Sequence, residues 1–297
     1  AINIESNELK SDYYKTFLSN INKVTVEDVQ KAANKYFALD NAQLVVTGKG
    51  SEIIEKLENI QFNGKKIPVN YYDKTGSVTS KPEYSSKPIG LTAKNILENY
   101  INAIGGNEKL SSINSLILSY EGQAMGSKII SEEKRVKGKF ANRMTMNGNE
   151  MMKMVITESR AFAKQGPNKM ELPTNMHTDL KKSLGIFPEL NLLNNPNIKF
   201  IEIEKVGKIE AYVIEISGDV ISSKFLYDVK TGLKIKEIST TNIGGQNQIQ
   251  ESEIGKYKEY EGILFPTIKT QSFGPQSIEM ILNKVILNSE FNDEVFN

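Results

Sequence analysis

Few side chains in this sequence are equipped for catalysis. It contains no cysteine and one histidine, His177. Disulfide frameworks, thiolate nucleophiles, zinc ribbons and any site needing two imidazoles are therefore excluded, as is a self-contained H-x-x-E-H zinc motif. A Ser-His-Asp triad would have to use His177, within Thr174-Asn175-Met176-His177-Thr178-Asp179 near the start of an expected helix. Side chains two residues apart leave a helix on different faces, so His177 and Asp179 read as separate residues, with His177 at the surface. The carboxylates Glu132-Glu133, Glu251 and Glu253 have the chemistry of general acids and bases. They fall beside lysines on alternating strand positions, the pattern of a solvated sheet face. Gly105-Gly106 and Gly244-Gly245 lack the G-x-x-x-x-G-K-[ST] spacing of a phosphate loop and read as cap and turn glycines. We expect no catalytic residue, cofactor site or metal ligand in this chain.

The methionines point elsewhere. Met144, Met146, Met152, Met154 and Ile156 fall on one side of an expected hairpin turned by Asn147-Gly148-Asn149. Methionine is flexible and polarizable and adapts to varied apolar ligands. One reading makes this face the lining of an apolar groove, with Leu184 and Phe187 from a Leu-rich piece beside it. The other makes it an ordinary core face packed on a helix over Ile96–Ile104.

Composition narrows the class. Of 297 residues 39% are hydrophobic and 25% charged, with Lys+Arg 37 against Asp+Glu 36, so a folded, nearly neutral protein is expected. The only arginines are Arg135, Arg143 and Arg160, and they form no patch with interleaved aromatics, which argues against nucleic acid. No apolar run approaches the ~18 residues of a membrane span. The sequence opens at Ala1 without initiator methionine or signal peptide and reads as a processed fragment.

The elements that must position these residues fall into two regimes. Residues 1–72 read as a small α/β piece. A first helix carries Tyr14, Phe17, Leu18 and Ile21. A second, capped by Thr25 with Asp28 at its third position, buries Val26, Val29, Ala32, Ala33, Tyr36 and Phe37. A strand over 42–47, a third helix with Ile53, Ile54, Leu57 and Ile60, and an edge strand over 67–72 follow. So few elements do not close a core by themselves. Residues 73–90 read as a Ser/Thr/Lys/Pro/Gly linker. Residues 91–297 begin with a helix capped by Thr92 and stopped at Gly105-Gly106. The apolar period then changes to two, predicting strands at 116–120, 132–140, 144–147 and 151–157. Thr174 to Asn195 forms a helix-and-loop interruption, followed by strands at 198–206, 211–217, 221–228, 233–241, 248–258, 264–273 and 278–288. Turns such as Lys230-Thr231-Gly232 and Gly274-Pro275 separate them. The fold expected is α+β, with an antiparallel meander curled into a half barrel and covered by helices.

Two resemblances add to this. Residues 13–48, with Val24-Thr25-Val26-Glu27-Asp28-Val29, Lys35-Tyr36 and Gln43-Leu44-Val45-Val46-Thr47-Gly48 in order, resemble the closing segment of insulinase-like (pitrilysin-type) zinc peptidases. In that family the zinc motif lies in an earlier domain, so zinc is implied only upstream, and nothing catalytic carries over. Residues 225–233, 257–266 and 286–296 resemble the LolA/LolB-like lipoprotein-carrier fold. That resemblance implies a curved sheet holding acyl chains on its concave face, with a periplasmic or outer-membrane-associated setting in a Gram-negative bacterium. Together they imply the non-catalytic C-terminal region of an exported peptidase-family protein. Its β domain would bind a lipid, lipoprotein or apolar peptide, with an upstream peptidase domain or peptidase subunit as partner. The alternatives are a stand-alone lipid carrier and a scaffold module.

Overall fold

The computed structural model describes residues 2–37, 42–48, 50–73, 75–82, 87–273, 276–290 and 292–297. The chain divides into two units, Ala1–Pro82 and Glu83–Asn297.

Among its described residues the first unit holds four α-helices, α1 (Ile2–Ser6), α2 (Tyr13–Ile21), α3 (Val26–Tyr36) and α4 (Gly50–Glu58). Two minimal hairpins accompany them, β1 (Gln61–Phe62) with β2 (Lys65–Lys66) and β3 (Tyr71–Tyr72) with β4 (Val78–Thr79). The start of α3 is a reciprocal cap. Thr25 Oγ1 accepts from the Asp28 amide at 3.1 Å, and Asp28 Oδ2 accepts from the Thr25 amide at 3.1 Å. The apolar stripe it presents is not buried, however: Val26 is 81% and Tyr36 73% exposed. Periodicity defines a face without supplying what covers it. Likewise 42–47 is not a strand, and Leu44, Val45 and Val46 are exposed. A strand needs a neighbouring edge for its amides and carbonyls, and none pairs with this segment among the described residues. The stretch read as a linker from Asp73 pairs back on Tyr71–Tyr72 through β4. Asp73 Oδ1 closes that turn by accepting from the amides of Thr75 (2.8 Å) and Ser77 (3.0 Å).

The second unit is built on α5 (Ala93–Ile104) and a thirteen-stranded antiparallel sheet. Thr92 and Asn95 form another reciprocal cap. Gly105, at φ 149°, ends α5 where a Cβ would sit 3.2 Å from the Gly262 carbonyl oxygen. Ile96, Leu97, Tyr100, Ile101 and Ile104 are each at most 6% exposed, a burial worth about 1.5–3 kcal/mol per aliphatic side chain. The short α6 (Asn107–Ser111) leads into a first meander. It comprises β5 (Ser115–Ala124), β6 (Ser127–Val136), β7 (Lys139–Met146), β8 (Asn149–Thr157), β9 (Ala161–Gln165) and β10 (Asn168–Glu171). Helices α7 (Thr174–Lys181) and α8 (Pro188–Leu192) follow. A second meander then runs through β11 (Ile198–Val206), β12 (Ile209–Ile216), β13 (Ile221–Asp228), β14 (Lys234–Ile243), β15 (Gln246–Tyr260), β16 (Ile263–Phe273) and β17 (Gln276–Leu287). β17 pairs with β5, so the meanders join at that seam and leave β10 and β11 as edges.

The sheet is curved, and α5 lies against its concave face. Leu116, Leu118 and Tyr120 from one meander and Ile214, Tyr227, Ile263 and Phe265 from the other share its core. The convex face carries smaller clusters, one of them Ala141, Val155 and Phe162 under Phe296 of a terminal 3-10 turn. The strand expected over 132–140 is two strands, broken at Lys137-Gly138, and β9 and β10 extend the first meander beyond expectation. The Gly274-Pro275 turn lies outside the described residues. Among those described, no helix is long and apolar enough to cross a membrane.

Candidate functional site

Between the concave face and the 183–192 segment lies a cavity of about 300 Å³. Its apolar surface comes from Ile104 of α5, Leu116 and Leu118 of β5, Leu192 of α8, and Leu264 and Phe265 of β16. Its polar wall consists of Glu133 and Arg135 from β6, Lys234 and Glu237 from β14, Lys269 from β16 and Glu189 from α8.

Strand alternation explains the β6 part of this wall. In β6 the inward face reads Ile129, Ser131, Glu133, Arg135, continuing the parity of buried Ile129, while Val136 packs into the convex cluster. Reading Glu132-Glu133 as one solvated pair is therefore corrected. Glu132 bonds Lys134 at 3.0 Å, and Glu133 faces the cavity at 17% side-chain exposure. Counting parity from Ile129 is the signal that separates them. Lys234 and Glu237, three apart, should point to opposite faces of a regular strand. The register shifts between Leu226–Lys236 and Tyr227–Lys234, so Ile235 is the extra residue of a bulge and both side chains turn inward. No sequence pattern announces that bulge.

The charges form two linked sets. Lys234 Nζ bonds Glu189 Oε1 at 2.7 Å and also Glu237 Oε1. Burial opposes its charge, but Glu189 and Glu237 outweigh that and hold its pKa well above the lysine value. Tyr257 donates to the Lys234 carbonyl at 2.8 Å, and the Tyr100 and Tyr227 rings lie 5.2 Å apart beside it, tilted at 60° to each other. The buried Tyr227 hydroxyl has no hydrogen-bond partner among the described residues. In the second set, Glu133 lies 3.2 Å from Lys269 Nζ and 3.6 Å from Arg135 Nη2. Burial would raise the Glu133 pKa, yet the two cations bring it down to about 2.

The segment over the cavity is tied to both meanders. The His177 ring donates from Nε2 to the Thr157 carbonyl of β8 at 2.8 Å. Asp179 accepts from the amides of Val220 (2.8 Å) and Ile221 (2.9 Å) and from Lys182 Nζ (2.7 Å). His177 and Asp179 are thus structural ties, and buried ones (9% and 6% exposed), where the sequence placed His177 at the surface. Further along, Arg135 Nη1 donates to the Gly185 carbonyl at 3.3 Å, and Lys234 holds Glu189.

Of the side chains expected to line a groove, Phe187 lines the cavity. Met144 and Met146 pack on the edge of the main core. Met154, Ile156 and Leu184 form a separate cluster with Phe140, Leu172 and Leu180. Met152 is 37% exposed. The five hairpin residues do share the concave face, because Met144 stands opposite Met152, Asn142 opposite Met154 and Phe140 opposite Ile156. Glu251 lies outside the cavity, paired with Lys236 at 2.7 Å. Among the described residues, no group of three or more His, Asp or Glu is placed to hold a metal.

The second unit is thus an α+β domain whose curved antiparallel sheet borders a mixed apolar and charged cavity. No family model matches the chain, and no curated protein matches it. Solved structures do. A LolA superfamily protein from Nitrosomonas europaea matches with a TM-score of 0.46 and 11% identity, over 70% of this chain and 98% of its own. A DUF1329 family protein from Desulfovibrio piger gives 0.45 and 8%, over 69% and 96%. The lipoprotein LppX of Mycobacterium tuberculosis gives 0.27 and 12%, over 67% and 96%. The resemblance of residues 13–48 to insulinase-like peptidases thus finds no support from a family model or a curated relative.

Proposed function

We propose that the second unit is a binding domain for a small lipid or other amphiphile, working as a carrier in its own right. The observation that carries this reading is the cavity. It has an apolar surface from strands β5 and β16 and helices α5 and α8, one charged wall, and a covering segment from a single connection. Its volume stands at the lower end of the range for small-molecule sites, which suits one acyl chain better than several. A periplasmic or outer-membrane-associated setting belongs to the same proposal. Native mass spectrometry followed by organic extraction and lipid analysis tests it. One acyl ligand per chain, or its uptake from added lipid, is the expected result, and Leu264→Trp should abolish uptake by filling the cavity. An apo mass with no uptake of lipid or detergent overturns the reading.

A second reading concerns the first unit. The exposed apolar faces of α2, α3 and 42–47 suit burial against further protein, as the end of a peptidase-type α/β domain would require. Hydrogen exchange over residues 13–36 tests this reading. Rapid exchange in the chain alone and protection on association support it, and strong protection in the isolated monomer refutes it.

A further inference from the structure

We propose that the ligand of this cavity carries a single negative charge, a long-chain carboxylate being its simplest form, with the head held by Arg135 and Lys269. This rests on the binding reading above and specifies its chemistry.

The charged wall has two unlike poles. At one, a single cation, Lys234, is held by two carboxylates, Glu189 at 2.7 Å and Glu237. At the other, two cations share one carboxylate, with Glu133 at 3.2 Å from Lys269 and 3.6 Å from Arg135. Taken as sets, the first has one negative charge to spare and the second one positive charge; the wall as a whole is neutral, Glu237 also facing Lys269 electrostatically, and the surplus of each pole is local. Contact at the first pole is tight. The second is looser than the roughly 2.7–2.9 Å of a strong charge-assisted bond, and it keeps donors in hand. A guanidinium offers five N–H groups, and the contacts of Arg135 are the Gly185 carbonyl, the distant Glu133 and the Phe140 ring. Lys269 has three N–H groups, and besides Glu133 it faces the Tyr120 ring at 4.4 Å. Both cations keep a little exposure, 18% for Arg135 and 23% for Lys269, against 12% for Lys234.

The apolar surface begins at this pole. In the β5–β6 register Arg135 stands opposite Leu116, and Glu133 opposite Leu118. An amphiphile with its carboxylate on the guanidinium would therefore lay its first methylenes on Leu116 and Leu118. Its charge would sit against the two cations of this pole, which share the one Glu133 carboxylate between them. An ammonium head would instead meet carboxylates that already accept from Lys234, Glu189 at 2.7 Å and Glu237.

The test compares dodecanoate, methyl dodecanoate and dodecylamine by calorimetry on the full chain, below their aggregation concentrations. These ligands share one chain and differ in head charge. Dodecanoate is expected to bind about tenfold to a hundredfold tighter than the ester, the range of a hydrogen-bonded charge. Lys269→Met should remove most of that advantage. The comparison of ligands on the unmodified protein needs no variant to fold. Equal affinity for acid and ester, or tighter binding of the amine, overturns the anionic head while leaving the binding reading intact. Binding of none of the three overturns both.

Discussion

Replacing Lys234 with methionine removes the cation that holds the covering segment to the far meander. Methionine matches the length of the lysine stem and keeps its packing against Tyr100 and Phe225, so the change isolates the charge. Two carboxylates lose their partner, and they differ in consequence. Glu237 has 39% of its side chain exposed and can turn to water, so its share is small. Glu189 has 7% exposed, and stranding a buried carboxylate costs about 3–5 kcal/mol. That is a large part of a typical domain's stability of roughly 5–15 kcal/mol. The assay is urea unfolding of the full chain followed by far-ultraviolet circular dichroism at pH 7. At pH 7 the variant should lose about 3–5 kcal/mol from the sheet transition. Adding Glu189→Gln should recover most of the loss at pH 7, because a neutral amide costs far less to bury than a stranded charge. A loss under about 1 kcal/mol, or a double variant no more stable than Lys234→Met alone, would refute this reasoning.

Three further outcomes are expected. Glu133 sits at about 2 in the fold against 4.5 unfolded. Its contribution is complete above pH 4.5 and lost as the pH falls toward 2, at most about 3 kcal/mol, and thermal melts across that window should flatten in Glu133→Gln. Asp179→Ala leaves the amides of Val220 and Ile221 and the Lys182 ammonium without their acceptor. It should cost about 2–4 kcal/mol and speed proteolysis between residues 174 and 195. At the seam, a Cβ on Gly122 would lie 2.5 Å from the Glu279 carbonyl oxygen and 2.6 Å from Met280 Sδ. Gly122→Ala should therefore lower stability by about 1–3 kcal/mol in a thermal melt, and no loss would mean that the β5–β17 pair yields freely.

Much of the second unit was legible because its signals are local. The cap at Thr92, the stripe from Ile96 to Ile104 and the stop at Gly105 each depend on residues within one or two turns. The hairpin at Asn147-Gly148 and most strands from Ile198 onward follow from alternation and turn chemistry in the same way. In the first unit those local signals formed α3, yet its apolar face is exposed, because amphipathicity names a face and not its cover.

The cavity was not legible. Glu133, Lys234 and Lys269 lie on strands far apart in the chain, brought together by the pairing of β17 with β5 and by the curvature of the sheet. The inward turn of Lys234 and Glu237 hangs on one bulge residue, Ile235, which shifts the face of every residue after it. His177 and Asp179 likewise looked like a helix start and proved to be ties to β8 and to the β12–β13 turn. Periodicity, capping and turn residues are properties of neighbours in the chain, so the sequence alone determined elements and their faces. Which charged face closes against which apolar one depends on register, bulges and curvature, and the tertiary structure alone decided that.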